Sequence, residues 1–359
     1  MSGALARDPD TFAHNGLPGP IPGTPERVPG AIRRTTNLDL TRPDGPDGPI
    51  RVTGRGRDLR TRPDGTPLVV ASALVAAEIG GERVRDLSTY PRPAGIEALV
   101  GRRPVVGWRT GLWRYLRDDY DRGSVLHLVL DDLPGGMIIG GFTRGRELSQ
   151  AASVSATFLT SGGTDGGREI TGTRDSEPAQ PGRRLDVCAG WAAESRAAQI
   201  LARTGIPPAP VTPLAPDLIP AGDPVAWHTL PAVPVHGISR RRRIDVLDTG
   251  EEIVIEAWFR DSFTDAGGAH LVLHEYLVEV TADPATDAVR RLATHPRVLP
   301  HRECPVAAAS VQAMRGVPLG RLRDRVSSDL FGPFSCTHLN DLLRGLADVP
   351  ALLAPGPAA

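Results

Sequence analysis

The chain repeats itself, and that repeat limits its possible folds more than any other feature. Val28-Pro-Gly30-Ala-Ile-Arg33-Arg34 resembles Val235-His-Gly237-Ile-Ser-Arg240-Arg241, and Ile50-Arg-Val52 leads to Arg57-Asp58 as Ile253-Val-Ile255 leads to Arg260-Asp261. Asp86-Leu87-Ser-Thr89-Tyr-Pro91 then matches Arg291-Leu292-Ala-Thr294-His-Pro296, and Ser124-Val-Leu-His127-Leu128 matches Ser335-Cys-Thr-His338-Leu339. The order is preserved, at offsets of 207, 203, 205 and 211 residues. Self-similarity at a nearly constant period marks one supersecondary unit used more than once. The sequence therefore reads as two tandem degenerate modules, 28–146 and 235–353, forming an intramolecular pseudo-dimer. Residues 147–234 join them as loop, helix and Pro-rich linker. Residues 1–27 and the tail 354–359 are expected to be disordered.

The second copy carries the clearer pattern. Arg243–Leu247, Glu252–Phe259 and His270–Thr281 alternate or are β-branched, and Asp-Thr-Gly and Asp-Ala-Gly-Gly separate them as turns. A short fourth strand is expected near 288–293. Pro305 suits a first helical residue and Gly316 a helix stop. Pro318 opens a second helix with Leu319, Leu322, Val326 and Leu330 on one stripe, and Ser335 is a candidate N-cap for a third. Each module is thus an α+β unit of three to four antiparallel strands followed by three helices. Between the copies, 161–184 reads as a polar loop and 187–203 as a helix. Nine prolines between Pro207 and Pro234 require an extended strap wrapping one module to reach the other.

Composition narrows the chemistry. All 41 cationic side chains are arginine, which excludes a Schiff-base lysine, a P-loop lysine and a Ser–Lys dyad. Against 42 Asp and Glu the net charge is −1, so neither nucleic acid nor an anionic membrane meets a basic field. No apolar run reaches the roughly 18–20 residues of a membrane span, and the first thirty residues lack a signal-peptide stretch. A cytoplasmic protein acting on a small molecule is expected.

The unusual side chains gather in the second copy. Cys304 and Cys336 stand at helix starts, where an N-terminal dipole favours thiolate. His338 follows two residues after Cys336, and Asp341 lies one turn on, placed to orient the ring. With His274 in the third strand, Cys304, Cys336 and His338 form a donor set suited to zinc or iron. Without metal, Cys336, His338 and Asp341 would act as thiolate and general acid–base. Cys188, at the head of the inter-module helix, would join them if the linker folds over. The thiols equally suit a purely structural, buried role, and His127 without cysteines around it suggests a structural histidine in both copies. The Arg240–Arg243 run reads as a charge-guarded edge strand or as an anion patch, with Arg241 or Arg260 holding an acidic substrate. The matched Arg57-Asp58 and Arg260-Asp261 suggest a repeated structural ion pair.

The residues Arg241-Arg-Arg-Ile-Asp245, Phe259-Arg-Asp261, His274, Cys304 and Ser335-Cys336-Thr-His338-Leu339-Asn-Asp341-Leu342 resemble the bacterial domain-of-unknown-function family 2889. Asp186-Val-Cys188-Ala-Gly-Trp191 and Asp131-Asp132-Leu-Pro134 resemble its longer, actinobacterial-type members. That resemblance implies no reaction. Glu303-Cys304-Pro-Val-Ala-Ala-Ala-Ser310, Arg315-Gly316-Val-Pro-Leu and Ser335-Cys336 are also similar to the NifU/SufE-type iron–sulfur scaffold fold. This implies that Cys304 and Cys336 match scaffold cysteines and that His274 stands nearest the missing one. Three functions follow as expectations: a small-molecule metabolic enzyme with a Cys/His site, an iron–sulfur or sulfur-transfer accessory protein, or a non-catalytic ligand-binding pseudo-dimer.

Overall fold

Strand alternation organises the structure, a computed structural model that describes residues 16–140, 185–204 and 208–354. The first half contributes β1 (Ile32–Thr41), β2 (Ile50–Thr61), β3 (Pro67–Gly80) and β4 (Arg83–Tyr90). The second contributes β5 (Ile238–Asp248), β6 (Ile253–Thr264), β7 (His270–Ala282) and β8 (Val289–Val298). They form one antiparallel sheet in the order β4-β3-β2-β1-β5-β6-β7-β8. Each half is a meander, and the two meet where β1 pairs with β5, from Ile32 opposite Val246 to Leu40 opposite Ile238. With α-helices packed on this sheet, the fold is α+β. None of those helices is long and apolar enough to cross a membrane.

One face of the sheet carries the helices: α1 (Trp108–Tyr115), α2 (Arg117–Asp121) and α3 (Val125–Asp131) from the first half. After α4 (Arg196–Thr204), which lies between the meanders in sequence, come α5 (Leu322–Asp329), α6 (Thr337–Gly345) and α7 (Val349–Leu353). Two apolar cores result. Leu38, Val52, Leu99, Trp108, Leu112 and Val129 belong to one, and Ile244, Phe259, Tyr276, Leu339, Leu342 and Leu346 to the other. Close approach of α3 to β2 depends on glycine: a Cβ at Gly56 would lie 2.4 Å from a Val125 methyl and one at Gly54 2.5 Å from Val129. The segment Cys304–Met314, expected as α-helix, is a 3₁₀ helix. Its buried side chains are Cys304, Ala307, Val311 and Met314.

Two extended segments cover the opposite face. Trp227 meets Trp258 edge-on at 5.9 Å and donates from Nε1 to Thr24 Oγ1 at 2.6 Å. Residues 16–27, expected to be disordered, are tied down instead. The Ile21 amide donates to Glu275 at 2.6 Å, and Arg27 pairs with Asp223 at 2.8 Å. The Pro-rich stretch 208–234 lies along that face, with one β-bridge to the sheet, Leu214 to Leu271, and side-chain bonds besides. The polar loop expected over 161–184 lies outside the described residues.

The four-arginine run overturns the edge-strand expectation. Its strand is central, bonded to β1 on one side and β6 on the other. Arg240, Arg242 and Arg243 are all buried. They are tolerated there because carboxylates meet them on both faces.

A candidate site of two histidines and an aspartate

Alternation sends Arg240 and Arg242 toward the helices and Arg241 and Arg243 to the strap side. Arg240, with no exposed surface, lies opposite Asp261 on β6 and grips both its oxygens, Nε to Oδ1 at 2.9 Å and Nη2 to Oδ2 at 3.1 Å. Asp261 is in turn paired with His274 on β7. The β6–β7 register shifts directly after Asp261. Bulges of this kind re-aim side chains beside functional sites, and here the shift leaves His274 on the helix face.

His338, in the first turn of α6, completes the group. Its Nδ1 lies 3.0 Å from Asp261 Oδ2 and 3.0 Å from Arg240 Nη2. His274 Nδ1 lies 3.8 Å from the same carboxylate oxygen, and the two imidazoles stack with centroids 3.8 Å apart. Ligand atoms of Asp261, His274 and His338 all fall within 4.8 Å of one another, and it is the one such group of His, Cys, Asp or Glu among the described residues. His274 Nδ1 is buried without a hydrogen-bond partner, although about a tenth of each histidine side chain stays open, 10% and 9%. Burial, then the neighbouring His338 and Arg240, holds the His274 imidazole well below the usual histidine range. It is a neutral donor at neutral pH. Bonds of about 2.0–2.2 Å to one ion separate adjacent ligand atoms by about 3–3.5 Å, so separations of 3.0 and 3.8 Å nearly match.

Behind this group stands a buried ionic lattice built from both halves. Arg240 Nη1 reaches Asp341 Oδ2 at 2.7 Å and Asp132, just after α3, at 3.5 Å. Arg242 also pairs with Asp132 and donates to the Asp341 carbonyl at 2.8 Å. Arg109 from α1 bonds the second Asp341 oxygen at 2.5 Å and, with Arg344, holds Asp131. Burial alone would raise the Asp341 carboxyl, but Arg109 and Arg240 bring it down to about 2. For Asp132 burial prevails over Arg242 and Arg240, and the carboxyl rises to about 6.

The structure thus brings together His274 and His338 but separates the other expected site residues from them. Both Asp341 oxygens face arginines, so it is Asp261 whose carboxylate meets the His338 ring. Cys304 and Cys336 lie in the apolar core beside Tyr276, close enough to each other and to Cys188 for their charges to interact. Their expected thiolate character is overturned. Burial raises the Cys304 thiol well above its usual range and Cys336 to about 11, outweighing the two amides at the start of α6. Arg241 points to the strap face, away from His338. Arg260, on the same face, spends its three nitrogens on Glu275 at 2.6 Å, the Pro216 carbonyl at 2.8 Å and the Ile21 carbonyl at 2.9 Å. Nor do the matched Arg-Asp dipeptides pair internally, because adjacent strand residues face opposite ways. Clefts lined by Leu40 and Ile238, and by Val280 and Leu292, lie elsewhere.

Residues 238–352 match the model of a family described as a protein of unknown function, DUF2889. The match supports that family, and it contains Arg240, Asp261, His274, His338 and Asp341. No curated protein and no solved structure matches the chain. Sequence reasoning missed Asp261 and Arg240 as members of the site. The available signal was the second half's departure from the repeat, since β3 places Ala71 opposite Asp58 where β7 places His274 opposite Asp261.

Proposed function

We propose that the chain is a small-molecule enzyme whose working site is Asp261, His274 and His338, and that one zinc or iron ion binds there. The observation that carries this is the convergence of the three donors with His274 Nδ1 buried, neutral and unpartnered. Two imidazoles and one carboxylate suit either metal and leave coordination positions open. A bound ion would supply Lewis acidity toward a substrate oxygen. The chain's own part is to hold the Asp261 carboxylate in place against Arg240, to fix α6 through Asp341 and so to set the angle of the His338 ring. Partners such as Arg240, which bond a ligating carboxylate, tune such sites.

Cobalt substitution tests this directly. Co(II)-loaded protein should show weak visible bands without the intense near-ultraviolet sulfur-to-cobalt absorption that cysteine ligation produces. A strong sulfur band, or no cobalt uptake, would overturn the assignment.

A second reading draws on the 3.0 Å contact between His338 Nδ1 and Asp261. With a proton on Nδ1 the pair is a His–Asp dyad whose Nε2 is a general base, and no metal is needed. The gathering of Cys188, Cys304 and Cys336 near Tyr276 is the feature that would support a sulfur-transfer role and the NifU/SufE-type likeness. Their raised pKa values favour the packing role instead.

We also read the halves as copies of one module. Arg34 lies opposite Asp58 as Arg240 lies opposite Asp261, and a register shift follows each aspartate. The duplication would make the first half a scaffold that lends Asp132 and Arg109 to the second.

A further inference from the structure

On the strap side of the sheet, three arginines lack the ion-pair partners that their neighbours have. Arg33 holds Asp245, Arg243 holds Glu256 and Arg260 holds Glu275. Among the described residues, Arg55, Arg57 and Arg241 have no carboxylate oxygen within 4.0 Å. The register gathers them into one patch. Arg57 lies opposite Thr35, and Arg55 and Arg241 lie opposite Asn37 from its two sides.

His228 roofs this patch. Its two ring nitrogens are taken by Thr35 Oγ1 at 2.9 Å and Asn37 Oδ1 at 2.6 Å, so the imidazole closes the strap onto β1. Arg57 reaches the strap at the Val225 carbonyl, 2.6 Å away, and leaves its buried Nε without an acceptor. Arg55 Nη1 is also buried and unpartnered. So is Nη1 of adjacent Arg33, a residue only 3% exposed. With its Nε and Nη2 edge turned onto Asp245 on β5, Arg33 presents Nη1 away from that strand. Burial, then Arg57, Arg55 and Arg241, pushes the His228 imidazole down to about 3. The nearest opposing charges are Asp39, held by Asn37 at 2.6 Å, Asp223, already paired with Arg27, and Asp217. Positive charge is left over where several donors have no acceptor, and a buried donor without one carries a desolvation penalty.

We propose that this patch binds a phosphate group beneath residues 225–228, between Arg55, Arg57 and Arg241. An oxyanion suits an excess of positive charge, and planar guanidinium forks suit its tetrahedral oxygens. The patch is on the opposite face from His274 and His338, so its ligand would be an effector rather than the substrate, and the inference stands apart from the metal reading.

The test is thermal unfolding of the full chain in inorganic phosphate against sodium chloride of equal ionic strength, with R55Q/R241Q and R241Q alone alongside. Wild-type should melt several degrees higher in phosphate, and each variant should lose most of that rise while melting in chloride no lower than wild-type, because a like-charge contact is relieved. If R55Q/R241Q fails to fold, R241Q alone decides. Equal melting in phosphate and chloride, or an undiminished rise in R241Q, would overturn the proposal. Calorimetric titration with phenyl phosphate separates the sources: tighter binding than inorganic phosphate indicates a phosphorylated small molecule, and equal or weaker binding indicates the free ion.

Discussion

The two halves hold the same ion pair in different company. Arg34 grips Asp58 with two bonds of 2.7 Å and adds Asp348 at 2.8 Å, while Arg240 grips Asp261 and adds Asp341 and Asp132. Among the described residues no imidazole pairs with Asp58, and Ala71 lies opposite it where His274 lies opposite Asp261. His127, which the sequence match aligns with His338, turns instead to Tyr120, ring edge to face at 5.2 Å, with its Nδ1 buried and unpartnered. The comparison separates scaffold from chemistry. A buried Arg–Asp pair across neighbouring strands belongs to the scaffold wherever it occurs. Two histidines beside one of those aspartates make the candidate site.

The largest effect should come from breaking either pair. Arg34→Met and Arg240→Met both strand carboxylates in the interior, which costs about 3–5 kcal/mol. The Arg240 variant should be the worse, since it removes contacts to three buried carboxylates rather than two, although Asp341 and Asp132 keep Arg109 and Arg242 and Asp348 keeps Arg323. Urea midpoints measure this, and a larger loss for Arg34→Met would break the comparison.

Cys304 and Cys336 have no cysteine counterparts in the first half. Cys304→Ala and Cys336→Ala each remove a small buried side chain, and each should cost about 1–2 kcal/mol while leaving the histidine site intact. A chemical-denaturation series checks the cost. A loss near zero would mean that these thiols are not packed as described.

A smaller effect tests the first half's histidine. Burial, then Arg323, holds the His127 imidazole at about 4, below its unfolded value of 6.5. The unfolded chain therefore binds a proton between these values that the native state does not. His127 thus lowers stability as pH falls from about 6.5 toward 4, by about 1 kcal/mol or more. Asp132 acts with the opposite sign: its native pKa of about 6 lies above the unfolded 3.8, so protonation over that window favours the fold. Unfolding of His127→Leu should depend less steeply on pH across this range than wild-type, and an unchanged slope would contradict the assignment.

Much of the fold was legible in the sequence, because strand alternation and turn residues leave local marks. The second-half strands lie where the pattern put them, longer by one to six residues. The site was less legible because strand register leaves no local mark. The repeat aligned Arg33 with Arg240, whereas the sheet gives Arg240's role to Arg34. A slip of one residue turns a side chain to the other face, and Arg33 indeed meets Asp245 on the strap side. Arg240–Arg243 misled for a related reason, since four adjacent charges look solvated until five carboxylates are brought against three of them. Cys336 and His338 are two residues apart, yet the start of α6 directs one into the apolar core and the other to Asp261.

The central claim is that metal, if held, is held by Asp261, His274 and His338 rather than by thiols. Plasma mass spectrometry on untagged protein, beside His274→Ala/His338→Ala and Cys304→Ala/Cys336→Ala, tests it most directly. About one zinc or iron per chain is predicted in wild-type and in the cysteine variant, and close to none in the histidine variant. Metal lost with the cysteines, retained without the histidines, or absent from wild-type would contradict the account.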